Sequence, residues 1–407
     1  MTSITSTKEP NRTQTPLLSG DFRRFFDKSD SLTAETSKFF KVSGDRFSDW
    51  KWQMTNRVDS SSNLLDLIKL LPEEKEALTS DPRKLSQYPM QISPYYFGLI
   101  LQLSKKSSEA SIPIRLQVIP RSSETISYEY LSADPLKEEG NSPFPGLVHL
   151  YPDRVALCIS GECPTYCRHC FRRTRFSETG ICFDGPLVQR AVEYIKKHPL
   201  IRDVLVTGGD PFLALDGDLE NMLFELRSIP HLDIIRFGTR TPVTLPYRIT
   251  PELAELLARY HPIWVNTQFN CVEEITNEAV QAISNLVMAG IPVGNQSVLL
   301  KGVNDKEDQM RSLLQKLIAI RVRPYYLFHP HLVSGTQHLR TSIDQGLKII
   351  QSLRGTLSGF AIPTYVVDTP TGKIPIYPDY NTVRDGSDLL MTDLRGNLWR
   401  EKMAFFK

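Results

Sequence analysis

Cys163-Pro164-Thr165-Tyr166-Cys167-Arg168-His169-Cys170 is a C-x3-C-x2-C loop that follows an apolar, strand-like run from Val155 to Ile159. Thiolates at this spacing can wrap one corner of an inorganic cluster. Three ligands for a [4Fe-4S] cube leave one iron without a protein ligand, free to hold a small molecule. Zinc normally asks for four protein ligands and two paired knuckles. Here there is no second C-x2-C pair, and Cys158, Cys182 and Cys271 are scattered. His169 lies inside the loop, where adjacent ligands rarely close a tetrahedron. A disulfide framework suits a chain of 407 residues with six cysteines poorly. The iron–sulfur reading leads and zinc follows it.

Outward from this loop, short β-branched runs alternate with amphipathic segments. Strands are expected at 154–159, 203–207, 234–238, 263–269, 293–299 and 324–328, with 363–367 as a late addition. Helices are expected at 186–197, 219–228, 251–260, 273–289, 306–320 and 343–353. This alternation implies a parallel sheet with crossover helices, and about six units imply a partial (β/α)6-type TIM barrel. Chemistry then belongs at the carboxyl ends of the strands, where the cysteine loop lies. The organisation expected is a disordered tail over 1–21, a helical N-terminal lobe over 22–146 and a barrel over 147–370. A loop and C-terminal extension follow over 371–407. Helical patterns near 64–71 and 96–103 mark the lobe.

The second strand ends in Thr207-Gly208-Gly209-Asp210-Pro211. Two glycines let backbone approach a ligand, and a neighbouring acid can accept from a ligand ammonium. Alone this is a common turn. Beside a three-cysteine loop, it points to S-adenosylmethionine, whose amino and carboxylate groups would chelate the open iron while Asp210 helps hold the ammonium.

Further segments are Asp49-Trp50-Lys51-Trp52-Gln53, Ile92-Ser93-Pro94-Tyr95-Tyr96 and Tyr151-Pro152-Asp153-Arg154-Val155. Arg172 and Arg173 follow the cysteines, then come Gly238-Thr239-Arg240-Thr241-Pro242, Gly294-Asn295-Gln296-Ser297-Val298-Leu299-Leu300 and Arg321-Val322-Arg323-Pro324-Tyr325-Tyr326. In this order, over about 47–378, the chain resembles the lysine 2,3-aminomutase family of the radical S-adenosylmethionine superfamily.

The resemblance implies an isomerase that uses a [4Fe-4S] cluster, S-adenosylmethionine and pyridoxal 5′-phosphate. A 5′-deoxyadenosyl radical would abstract hydrogen from C3 of an amino acid, and the α-amino group would move to C3 to give a β-amino acid. It implies Gly208, Gly209, Asp210 and Gln296 for S-adenosylmethionine. Lys373, in Asp368-Thr369-Pro370-Thr371-Gly372-Lys373-Ile374-Pro375, is implied as the lysine that takes pyridoxal phosphate. This loop is shorter than its glycine-rich counterpart in lysine enzymes, so Lys373 is matched across a gap. Arg154 and Arg240 match positions that hold the cofactor phosphate; a further family arginine is Leu150 here. Arg172 matches the residue that pairs with the substrate carboxylate.

Lysine-specific relatives surround the substrate ammonium with two aspartates. One matches Asp368; the other falls on His331. Losing a carboxylate weakens recognition of a distal cation, so lysine, arginine, glutamate and a neutral amino acid all stay open. Other outcomes of the same cofactors, or a non-catalytic iron–sulfur protein, are the alternatives. The late cysteines of a structural zinc site are missing, so none is expected.

Lys+Arg 48 against Asp+Glu 46 argues against a dedicated nucleic-acid binder. An apolar share of 41% is ordinary for a globular protein, and no run has the length of a membrane span. The Thr- and Ser-rich residues 1–16 lack the apolar centre of a signal peptide. Free thiols and an oxygen-sensitive cluster fit a reducing cytoplasm. The expected partners are a small amino acid, an electron donor such as flavodoxin or ferredoxin, and further copies of the chain.

Overall fold

The computed structural model of the chain describes residues 32–79, 88–173, 183–378, 383–385, 388–392 and 397–402. The tail expected over 1–21, and Cys182, lie outside these residues. One sheet takes its strands in chain order: β1 (Leu147–Tyr151), β2 (Arg154–Ser160), β3 (Asp203–Gly208), β4 (Ile234–Gly238), β5 (Ile263–Thr267), β6 (Val293–Val298), β7 (Val322–Phe328), β8 (Thr364–Thr369) and β9 (Gly372–Pro375). From β2 to β8 every neighbouring pair is parallel, whereas β1 and β9 are antiparallel additions at the two edges.

Helices Gly185–Lys196, Asp216–Arg227, Pro251–Ala258, Asn277–Met288, Glu307–Ala319 and Ile343–Leu353 cross between successive parallel strands. That is the expected (β/α)6 partial barrel with a seventh parallel strand. Each crossover helix buries one apolar stripe, as Leu219, Met222, Leu223 and Leu226 do in the second. These stripes join Leu157, Val206, Phe237 and Val265 of the strands in a single core.

The helix Pro94–Lys106 anchors the residues before the barrel. Ser93 caps it by accepting the N–H of Tyr96, proline opens its first turn, and Lys105 and Lys106 close its last. Its Tyr95, Tyr96, Phe97 and Ile100 are wholly buried in the same core. The expected helix at 64–71 is instead a short 3-10 turn, Asn63–Leu67, followed by extended backbone. The segment after the barrel contains a separate three-stranded sheet of β10 (Val383–Asp385), β11 (Asp388–Thr392) and β12 (Leu398–Lys402). Among the described residues, no helix is long and apolar enough to cross a membrane.

Candidate active site

The cysteine loop leaves the carboxyl end of β2 and is fastened by residues from the N-terminal segment. Gln91 O accepts from Tyr166 N at 2.8 Å, and Gln117 O accepts from Arg168 N at 2.7 Å. Arg57 Nη1 donates to Cys163 O at 2.9 Å, and the Tyr88 hydroxyl donates to Cys167 O at 3.0 Å. Arg168 and Arg173 both grip the carboxylate of Glu124, with Arg173 at 2.7 Å, and both guanidinium groups lie over the Tyr88 ring. Burial alone would raise the Glu124 carboxyl, but the two arginines outweigh it and hold it down at about 2.

Three thiols in one half-buried turn repel one another as thiolates. Burial and the Cys167 thiolate push the Cys170 thiol up to about 11; burial and Asp210 raise Cys163 well above its ordinary value. Thiols of this kind give up their protons to iron, whose positive charge removes both penalties. The donor set fits an iron–sulfur cluster.

Gly208 and Gly209 make the junction with the next loop. A Cβ on Gly209 would sit 2.1 Å from Glu162 O, and one on Gly208 would sit 2.5 Å from Ser160 O. Their smallness is used against the backbone that leads into Cys163. Gly209 N donates to Ser160 O and Asp210 N donates to Glu162 O, both at 2.6 Å.

Asp210 is 2% exposed, and its carboxylate is already occupied. Oδ1 accepts from the Thr239 hydroxyl at 2.7 Å and Oδ2 from Arg240 N at 2.8 Å. Burial raises its pKa above the ordinary aspartate range. It ties the loop after β3 to the loop after β4.

Arg240, matched in sequence to a phosphate-holding position, makes its contacts at the cysteine loop, apart from Arg154. Its Nη1 donates to Cys167 Sγ at 2.7 Å and its Nη2 to Glu274 Oε1 at 2.5 Å. His169 faces the same group, with Nε2 3.0 Å from Gln268 Nε2; burial and then Arg240 hold its pKa well below the ordinary value, so it is neutral. Gln296 is half-buried on β6, level with Tyr326 of β7.

On the other side of the loop the remaining site residues meet in one line. Lys373 Nζ donates to Asp368 Oδ2 at 2.9 Å across the β8–β9 hairpin. His331 Nε2 lies 3.7 Å from the same oxygen, and its ring stacks on Phe171 at 4.8 Å. The Arg172 guanidinium also lies over the Phe171 ring, 4.8 Å from its centroid. Glu138 takes Nε and Nη2 of Arg172 at 3.0 and 2.7 Å, and Nη1 reaches the Thr207 hydroxyl at 3.4 Å. Burial would raise the Asp368 carboxyl, yet His331 and Lys373 outweigh it and hold it below the ordinary range. Asp368 is an anion.

Arg154 joins this line through Tyr151. Its guanidinium stacks on the Tyr151 ring at 3.8 Å and pairs with Asp153 at 2.9 Å, while the Tyr151 hydroxyl accepts from Lys373 N at 2.9 Å. Gly372, at φ +130°, makes this approach feasible, since a Cβ there would meet the same hydroxyl at 3.1 Å. A half-buried guanidinium linked through Tyr151 to the backbone of Lys373 fits a phosphate-bearing aldehyde such as pyridoxal phosphate.

Sequence reasoning did not single out Glu124, Glu138, Phe171, Glu274 or Gln117. Glu124, Glu138, Glu274 and Gln117 enter the site from far along the chain without a local motif, whereas Phe171 directly follows Cys170. Tyr151 stood beside Arg154 in a quoted segment, and that adjacency was the signal available.

The profile of the Radical SAM superfamily matches residues 157–314, and one described as Lysine-2,3-aminomutase matches residues 350–397. The chain is 44% identical over 362 residues to the L-lysine 2,3-aminomutase of Acetoanaerobium sticklandii, covering 88% of this chain and 86% of that one. It is 46% identical over 346 residues to the enzyme of the same name from Fusobacterium nucleatum, covering 84% and 80%. It is 40% identical over 373 residues to the glutamate 2,3-aminomutase of Clostridioides difficile, covering 90% and 86%.

Proposed function

Because this chain belongs to the lysine 2,3-aminomutase family of the radical S-adenosylmethionine superfamily, and is by that membership an isomerase, we propose that it moves the α-amino group of a basic L-amino acid to C3. Pyridoxal phosphate is its second cofactor. The observation that carries this reading is the unbroken line from Lys373 through Asp368, His331 and Phe171 to Arg172 and the cysteine loop.

When bound, the cluster and S-adenosylmethionine supply a carbon radical able to take hydrogen from C3, and pyridoxal phosphate supplies a π-system across which nitrogen can move. Cys163, Cys167 and Cys170 hold the cluster. Gly208 and Gly209 shape the neighbouring loop, and Gln296 lines the S-adenosylmethionine side. Asp210 acts there by ordering Thr239 and Arg240, to which both of its carboxylate oxygens are bonded.

Lys373 takes the pyridoxal cofactor and Arg154 its phosphate. Arg172 offers Nη1 to the substrate carboxylate while Glu138 fixes the fork. Once Lys373 is engaged, Asp368 loses its nearest cation and draws the distal ammonium or guanidinium of the substrate. That preference sets a basic side chain ahead of glutamate, which Asp368 would repel. The partner this chemistry requires is a one-electron donor of the flavodoxin or ferredoxin kind.

The test is anaerobic reconstitution with iron, sulfide, pyridoxal phosphate, S-adenosylmethionine and a strong reductant, with the common amino acids supplied one at a time. Conversion of lysine or arginine to its β-isomer, identified by chromatography and mass spectrometry and abolished in Lys373→Ala, is the expected result. Production of 5′-deoxyadenosine with no isomer from any amino acid would overturn the assigned reaction.

A further inference from the structure

Arg240 is 8% exposed, and each of the three nitrogens of its guanidinium donates a hydrogen bond. Nε donates to Gln268 O at 3.2 Å. Nη2 is shared between Gln117 Oε1 and Glu274 Oε1, both at 2.5 Å. Nη1 donates to Cys167 Sγ at 2.7 Å. Its backbone is fixed as well, through Asp210.

Glu274 is wholly buried and equally constrained. Oε1 also accepts from the Tyr96 hydroxyl at 2.6 Å, and Oε2 accepts from the N–H groups of Asn270 and Cys271 at 2.5 and 3.2 Å. Four regions of the chain therefore converge to hold one cation against one sulfur. A buried ion pair carries a desolvation penalty that apolar side chains would avoid. Packing alone does not explain why a charged pair sits here.

A cation that hydrogen-bonds a cluster sulfur stabilises added negative charge on the cluster, and hydrogen bonds and net charge are the protein's chief controls on its potential. An anion behind that cation offsets part of the effect. We propose that Arg240 and Glu274 form a balanced charge pair that sets the reduction potential of the iron–sulfur cluster through the sulfur of Cys167. This rests on reading Cys163, Cys167 and Cys170 as cluster ligands. Arg240 is then a positioning residue whose charge, more than its shape, is in use. Glu274 sets how much of that charge the cluster feels.

The experiment is redox titration of reconstituted full-length protein without oxygen, following the reduced cluster by electron paramagnetic resonance and measuring iron and sulfide per chain. Wild type, R240Q, R240K and E274Q are compared. R240Q removes the cation and leaves Glu274, so its midpoint is expected to move to a more negative potential. E274Q leaves the cation uncompensated, so its midpoint is expected to move the opposite way. R240K keeps the charge and is expected to lie closer to wild type than R240Q does.

Opposite shifts at unchanged iron content support the proposal. Unchanged midpoints in both variants, or shifts of the same sign, overturn it. If R240Q does not hold iron, E274Q and R240K decide. A positive shift in E274Q with a near-wild-type R240K supports the charge pair, and any other combination overturns it. A wild-type protein that takes up no reducible cluster fails the ligand reading itself, and is distinguished by its iron content.

Discussion

The hydroxyl of Tyr151 accepts the backbone N–H of Lys373 at 2.9 Å, and this single bond links the two antiparallel edge strands of the nine-stranded sheet. β1 and β9 are first and last in that sheet, so the bond spans its open side. Tyr151→Phe leaves the Lys373 N–H without its partner, a loss of about 1 kcal/mol. The affinity for pyridoxal phosphate is expected to fall about fivefold. Absorbance titration of the apoprotein with the cofactor measures this, and an unchanged affinity would detach Tyr151 from the lysine's placement.

Glu124 gives a prediction with a definite sign in pH. Its folded pKa, about 2, lies below the ordinary value of 4.5. A depressed carboxyl contributes stability that is complete above the unfolded pKa and is lost as pH falls through the folded one. Glu124→Gln is therefore expected to cost about 3 kcal/mol at neutral pH, because it strands Arg168 and Arg173. It is also expected to flatten the acid decline between pH 4.5 and about 2. Denaturant midpoints across that window test both parts.

Gly209→Ala asks for space that backbone already occupies, 2.1 Å from Glu162 O. The carbonyl cannot swing aside as a side chain would, so the turn into Cys163 must shift, at a cost of about 2 kcal/mol. Iron retained after reconstitution and desalting is expected to drop to less than half of wild type. A variant with full iron content would show that the junction tolerates movement.

His331→Asp adds a second carboxylate beside Asp368, from which His331 Nε2 is now 3.7 Å distant. For a substrate with a distal ammonium, an added charge-assisted bond of about 1.4 kcal/mol raises kcat/KM about tenfold. The same change is expected to lower turnover of any acidic or neutral amino acid. Competition assays with paired substrates read the ratio directly.

The parallel strands were legible because short β-branched and apolar runs, such as Val155–Ile159 in β2, alternate with amphipathic helical segments. β4 has the expected bounds, and β2 and β3 each extend one residue further. The last crossover helix, Ile343–Leu353, also has its expected limits, with Ser342 as a capping residue. The helix expected over 273–289 is divided in the structure. Val272–Glu274 forms a 3-10 turn, Thr276 caps a new start, and Glu274 is drawn inward to Arg240.

The edge strands β1 and β9 could not be read, since each is short and defined by its hairpin partner. The C-x3-C-x2-C spacing was plain in the sequence, and the structure places all three cysteines in one loop after β2. The roles of Arg240 and Asp210 were harder, because a buried carboxylate or guanidinium is assigned by what surrounds it in space. Gly208 and Gly209 were expected to let backbone approach a ligand; the close approach in the structure is to the backbone at Ser160 and Glu162.

The contacts that fix the cysteine loop have a consequence for the order in which this protein is made. Arg57, Gln91, Gln117 and Glu124 come from the early chain, whereas Arg240 and Glu274, which complete the surroundings of Cys167, are synthesised seventy residues or more after the cysteines. A nascent chain that has just released Cys170 offers three exposed, competing thiols and half a cradle. The full surroundings of the Cys167 thiol therefore exist only once the strands that carry the loops beyond β4 and β5 have closed on the first half of the barrel.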